Sequence, residues 1–319
     1  MPNPRVASVR AARRTTRELK VLFGQMGTTQ RPRGRILRAY RVVRLGARSA
    51  FNERMPHFAL SEVLSEFRLA MSRHINHFLV QARNLGQNQA EAEIEAWELP
   101  GTGQPPRSLQ PERDAWLKIV DAQIAATEAS PVPAFVLGGG TQLGILQPSP
   151  AIQAGAHWLT AAAIAFWFFG VERATRIDRR PWEWFKQAIP AIDERTTDCC
   201  LRVAGQAVPL SSEFKLTGTP RFADEQAWSP FHNWCRTSVS LVPDQFKDDD
   251  LTQKLEGEAR LALRVRREAK EEARGIIDQL AELSTPTDSR ARSGDTKKIT
   301  GLRKRLLDLR GLAGYDLGG

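Results

Sequence analysis

Among the 319 residues of this chain, four soft metal donors fall within one short stretch: Cys199, Cys200, His232 and Cys235. Thiolate and imidazole together form a zinc-type ligand set. Zinc takes four donors in a tetrahedron and often draws them from two short-spaced pairs. His232 and Cys235 make one such pair, H-x-x-C. Cys199 and Cys200 are adjacent, and neighbouring residues seldom aim both sulfurs at one ion. The credible set is therefore Cys200, His232 and Cys235, with Cys199 or Asp198 as weak candidates for a fourth donor. Three ligands plus water is the open geometry of a catalytic metal. The competing reading has the cysteines buried in a small core as compact hydrophobes. For a metal-dependent nuclease or hydrolase, two things are missing. No second histidine stands beside the cluster as general base, and no Asp/Glu group of the magnesium-binding kind accompanies it.

The elements that must position these donors differ in texture along the chain. Residues 181–243 are aromatic and rich in turn residues, which predicts short strands and loops, with SVSLV (238–242) the clearest strand. Upstream, residues 56–86 place Phe58, Leu60, Val63, Leu64, Phe67, Met71, Ile75, Phe78 and Leu79 at helical spacing, with Gly86 as the expected stop. A Pro/Gly-rich break at 99–110 precedes a second helix near 111–130, with Pro111 in its first turn. The glycine triplet at 138–140 lacks the GK[ST] of a phosphate loop and reads as a hinge or close approach. Residues 151–171 approach the roughly 20 apolar residues that cross a bilayer. Gln153, His157 and Thr160 interrupt them, so a helix buried all round is expected and a membrane partner is not. A membrane-active ejection protein is the alternative that this stretch keeps open. From 245 to 283 a 4-3 seam runs through Leu255, Ala259, Ala262, Ala269, Ala273, Ile276, Leu280 and Leu283, broken at Arg266. It suits close helix pairing or partner contact. Residues 284–298 read as a linker, and Leu302, Leu306, Leu309 and Leu312 mark a short end helix.

Composition is that of an ordinary globular chain, 41% hydrophobic and 26% charged, which excludes a wholly disordered or multi-span protein. Net charge is +10, and it is concentrated: the first fifty residues hold thirteen cations against the single acid Glu18. Such an arm attracts polyanions. Arg10, Arg13, Arg14, Arg17, Arg31, Arg33, Arg35 and Arg38 are the candidate contacts, unless they are only the solvated faces of two helices. No base-reading device is visible, so any DNA contact through them is expected to be non-specific.

One string of residues carries a resemblance. Asp193, Glu194, Arg195, Thr196, Cys200 and Leu201 are followed by Gly205, Pro209 and Leu210, then by Phe231, His232, Cys235, Arg236 and Thr237. This resembles the C-terminal motif of phage head morphogenesis proteins, the phage Mu F-like minor head proteins, over about 60 of the 319 residues. Many members of that family carry Cys where Thr197 and Thr237 stand here. The resemblance implies a non-enzymatic minor capsid protein. It would be associated with the portal and other head proteins and would act in capsid assembly, DNA packaging or DNA ejection. It also implies residence in the virion, with the host cytoplasm as the place of assembly. Asp193, Arg195 and Arg236 are then expected to brace loops by charge-assisted bonds.

The expected fold is α+β. A basic helical arm (1–55) precedes a helical domain (56–180) and the motif unit of short strands and loops (181–243). An amphipathic helix (244–283), then a linker and end helix (284–319), follow.

Overall fold

The computed structural model of the protein describes residues 3–28, 57–101, 108–128, 149–284 and 292–313. Two compact units emerge. One comprises Met1–Pro181 with Trp228–Leu241, the other Trp182–Ala227 with Val242–Gly319. The architecture is mainly helical α+β with a small antiparallel sheet, as expected.

The first unit is built from α1 (Pro4–Thr28), α2 (His57–Ala96), α3 (Gln110–Glu128) and α4 (Ser149–Ile177). Residues at three- and four-residue steps supply its core: Leu19, Leu22, Phe23 and Met26 from α1, and Met71, Ile75, Phe78, Leu79 and Ala82 from α2. Trp116, Leu117 and Val120 come from α3, and Ala156, Leu159, Ala162 and Ala163 from α4. So α1 is an integral wall of this unit rather than an arm standing apart from it.

Helix α2 also departs from expectation by running ten residues past Gly86 to Ala96. Gly86 is a packing residue, not a stop. A Cβ there would lie 2.0 Å from the carbonyl oxygen of Ala163, so only glycine lets α2 and α4 approach this closely. Gly155 plays the same part against the Trp116 ring, 2.2 Å from its would-be Cβ. Helix α4 is buried on most sides, as Ile164, Phe166, Trp167 and Val171 join its core residues. No helix among the described residues is long and apolar enough to cross a membrane.

The second unit contains β1 (Trp184–Ile189), the short helix α5 (Asp198–Val203), β2 (Ala207–Pro209) and the two-residue strands β3 (Phe214–Lys215) and β4 (Glu225–Gln226). The division between the units passes through β5 (Ser238–Pro243). In the larger sheet β1 is central, between β2 and β5. Its register to β2 is antiparallel, with Phe185 opposite Pro209 and Gln187 opposite Ala207. On its other side the Asp244 N–H bonds the Glu183 carbonyl at 2.9 Å.

Two long helices complete the second unit, α6 (Asp250–Ser284) and α7 (Arg292–Ala313). The seam of α6 is used within the chain: Ala269, Ala273, Ile276 and Leu280 pack on Leu302, Leu306 and Leu309 of α7. Helix α7 begins inside the stretch expected to be a linker. The Glu272–Arg305 ion pair, at 2.6 Å, ties the two helices at their margin. The glycine triplet, Arg31, Arg33, Arg35 and Arg38 all lie outside the described residues.

Candidate functional site

The motif stretch begins as a loop locked by short-range hydrogen bonds. The Thr196 hydroxyl donates to the Ala191 carbonyl and accepts from the Asp193 N–H at 3.1 Å. Asp193 Oδ1 accepts the Arg195 backbone N–H at 3.0 Å. Thr197 then caps α5, its hydroxyl accepting the Cys200 N–H at 3.4 Å. The buried apolar residues of this six-residue helix are Cys199, Cys200, Leu201 and Val203. Gly205 follows with φ +82°, a left-handed conformation that favours glycine, and its would-be Cβ lies 2.7 Å from Glu256 Cγ. Its N–H bonds Ala188 and its carbonyl accepts from Gln187 Nε2 at 2.9 Å. Pro209 ends β2 opposite Phe185.

Bracing by charge does occur in this loop, but not through Arg195. The Arg195 side chain is exposed and meets no carboxylate among the described residues, while Asp193 receives a backbone amide instead of a guanidinium. The work falls to Arg266, on α6. It donates to Asp198 Oδ1 at 3.2 Å and to the carbonyls of Asp193 at 3.0 Å and Glu194 at 3.1 Å. Its side chain is 7% exposed. Glu194 therefore contributes its carbonyl, and its exposed side chain contributes no such brace. The one visible signal in the sequence was that Arg266 interrupts an otherwise regular apolar seam.

In the other unit, His232 and Cys235 flank a tight turn closed by the Cys235 N–H on the His232 carbonyl at 3.3 Å. Trp234 holds φ +62° within it, and its ring meets Phe23 edge-on at 5.7 Å. The Nδ1–H of His232 donates to the Asn233 carbonyl at 2.5 Å, which leaves Nε2 as the donor to any metal. The Ser229 hydroxyl lies 3.5 Å from Cys235 Sγ, and Thr160 binds the Cys235 carbonyl at 2.7 Å. Arg236 is buried as well. The Thr237 hydroxyl is buried without a hydrogen-bond partner among the described residues.

Cys200, in the second unit, and His232 and Cys235, in the first, are each buried. Two thiols and an imidazole with a committed Nδ1 are chemically suited to zinc. Of the weaker candidates, Asp198 faces Arg266 and Lys270, and Cys199 is buried beside Cys200. His232 is 4% exposed and Cys235 fully buried.

The expected polyanion contacts on α1 divide by burial. Arg10, Arg14 and Arg17 are exposed, and Arg13 is half-buried. Arg14 is engaged by Glu18 at 2.6 Å.

Sequence reading passed over two buried ionisable groups. Glu93, on α2, accepts from Gln89 Nε2 at 2.9 Å, from Trp167 Nε1 at 3.1 Å and from the Leu241 N–H at 2.8 Å. Burial pushes its carboxyl up to about 8, against the downward pull of those donors and of Arg5. Gln89 also binds the Val239 carbonyl, and Ser8 the Leu241 carbonyl at 3.0 Å. Helical side chains thus satisfy the backbone of residues 239–241. Lys186, in the centre of β1, donates to the Leu210 carbonyl at 3.0 Å and lies 5.5 Å from the Phe214 ring centre. Burial pushes its ammonium down to about 8, with Glu213 opposing the shift. A carboxylate within a polar helical stretch and a lysine inside WFKQAI give no sign of burial in sequence.

No family model, curated protein or solved structure matches this chain.

Proposed function

We propose that this protein is a phage minor head protein, a non-enzymatic component of the prohead associated with the portal and acting in capsid assembly, DNA packaging or ejection. The observation that carries this reading is the use to which the motif residues are put. Thr196 locks a loop, Thr197 caps a helix, Gly205 turns the chain at positive φ, and Cys200, His232 and Cys235 are buried. Such residues hold a scaffold in shape. A nuclease or hydrolase using the same cluster needs substrate to reach its reacting atoms, and burial of the donors speaks against that reading. The motif's resemblance to head morphogenesis proteins supplies the identity of the scaffold, and the virion is the corresponding location.

Co-expression of the full chain with a phage portal protein tests the proposal. Co-purification with the portal ring at fixed stoichiometry is the expected result. Clean separation from the ring, together with DNA cleavage that disappears in His232→Ala, would overturn it.

A further inference from the structure

Around the start of α6 the surface arginines are paired in the ordinary way. Arg260 binds Glu256 and Arg264 faces Glu268, each at the i,i+4 spacing that neutralises a solvated helix face. One region breaks this pattern. Between α5 and α6 lies a cleft of about 160 Å³, several times the roughly 30 Å³ that a water molecule occupies in the liquid. Arg202, Arg266, Arg267, Lys270 and Arg274 line it, against only two acids, Asp198 and Glu271. Asp198 is already committed to Arg266 at 3.2 Å and to Lys270 at 3.8 Å. Arg202, Arg267 and Arg274 pair with no carboxylate among the described residues, although Glu271 stands four residues from Arg267. Three exposed, unneutralised guanidinium groups therefore converge on one concavity whose lining carries a net charge of +3.

We propose that this α5–α6 cleft is a phosphate-binding site that grips the backbone of a nucleic acid. Guanidinium groups hold phosphate oxygens through two parallel donors, and like charges at this density are relieved when an anion enters. The spacing favours a polymer over a free phosphate. Arg267 and Arg274 are seven residues apart on α6, about 10 Å along its axis at 1.5 Å per residue. That distance is about three rises of 3.4 Å along a duplex axis, wider than one phosphate can bridge. Contacts of this kind read no sequence. The site is distinct from the arginines of α1 and does not depend on the head-protein reading.

The test uses the full chain and a fluorescein-labelled 20-base-pair DNA, with binding followed by anisotropy across a NaCl series. The triple variant Arg202→Ala, Arg267→Ala, Arg274→Ala is compared with an equal-charge control, Arg260→Ala, Arg264→Ala, Arg305→Ala, drawn from paired arginines. The expected result is at least a tenfold loss of affinity in the cleft variant and a log–log salt slope shallower by about 2–3, at about 0.9 per lost contact. The control is expected to keep most of both. Equal losses in the two variants would reduce the effect to bulk charge and overturn the site. Unchanged binding by the cleft variant would overturn it as well. Saturable binding of pyrophosphate without binding of DNA would overturn the nucleic-acid assignment. Should the triple variant lose its melting transition, the single Arg267→Glu replaces it, with the same loss expected in smaller measure.

Discussion

The two units differ in how their most closely fitted segments are held. In the first, helices approach so closely that glycine is required at Gly86 and Gly155, and shape fixes their packing. In the second, the loop from Ala191 to Gly205 is held by hydrogen bonds, with Arg266 reaching across to two carbonyls and a carboxylate. The buried ionisable groups differ in the same sense. The helical unit encloses an acid amid converging donors, and the loop-rich unit encloses a base against a carbonyl and a ring. Apolar helices can be made rigid by volume alone, whereas a loop relies on directional bonds.

Removal of residues 1–28 should give the largest effect on this contrast. It strips Leu19, Leu22, Phe23 and Met26 from the helical core, where single large-to-Ala changes cost about 2–5 kcal/mol. Loss of the cooperative melting transition is expected in calorimetry, and a truncated chain that melts like the full one would show α1 to be dispensable. Next comes Gly86→Ala, which drives a methyl into the Ala163 carbonyl. A cost of about 3 kcal/mol in urea unfolding is expected, at the upper end for overpacking. Arg266→Ala should cost about 2 kcal/mol by leaving Asp198 and two carbonyls without their donor, while exposed Arg195→Ala stays within about 0.5 kcal/mol. Equal effects of the two arginine changes would undo the assignment of bracing to Arg266.

The pH dependences of the two units have opposite signs. Glu93 is raised from 4.5 to about 8, so the folded state holds a proton that the unfolded state gives up. Its contribution is full below pH 4.5 and is lost as pH rises toward 8. Lys186 is lowered from 10.5 to about 8. Its contribution is full above pH 10.5 and is lost as pH falls toward 8. Glu93→Gln should flatten the acidic limb of the stability profile and Lys186→Met the alkaline limb. Unfolding midpoints measured every half pH unit would show either limb surviving its substitution.

Much of the fold was legible because period and composition speak directly for long helices. The α6 seam, the apolar α4 and the strand at 238–242 all lie where the spacing places them. Gly86 misled because glycine ends helices by its φ freedom and permits helix contact by its lack of a side chain, and one sequence does not distinguish the two. At the candidate site, the soft donors were legible as residue types. The long-range bonds around them were not, since Thr160, which binds the Cys235 carbonyl, is 75 residues from it, and Arg266 is 68 from Asp198. The first strand was hidden for a related reason: all six of its residues are buried, so it lacks the alternation that marks a half-exposed strand.

The side chains that meet Val239 and Leu241 have one more consequence. Gln89, Glu93 and Ser8 occupy the backbone groups that a visiting strand would need, and at the opposite margin β2 is three residues long and ends in proline. The ribbon cannot lengthen sideways in either direction. Addition of a strand from a neighbouring chain is thereby disfavoured at both margins of this three-stranded sheet.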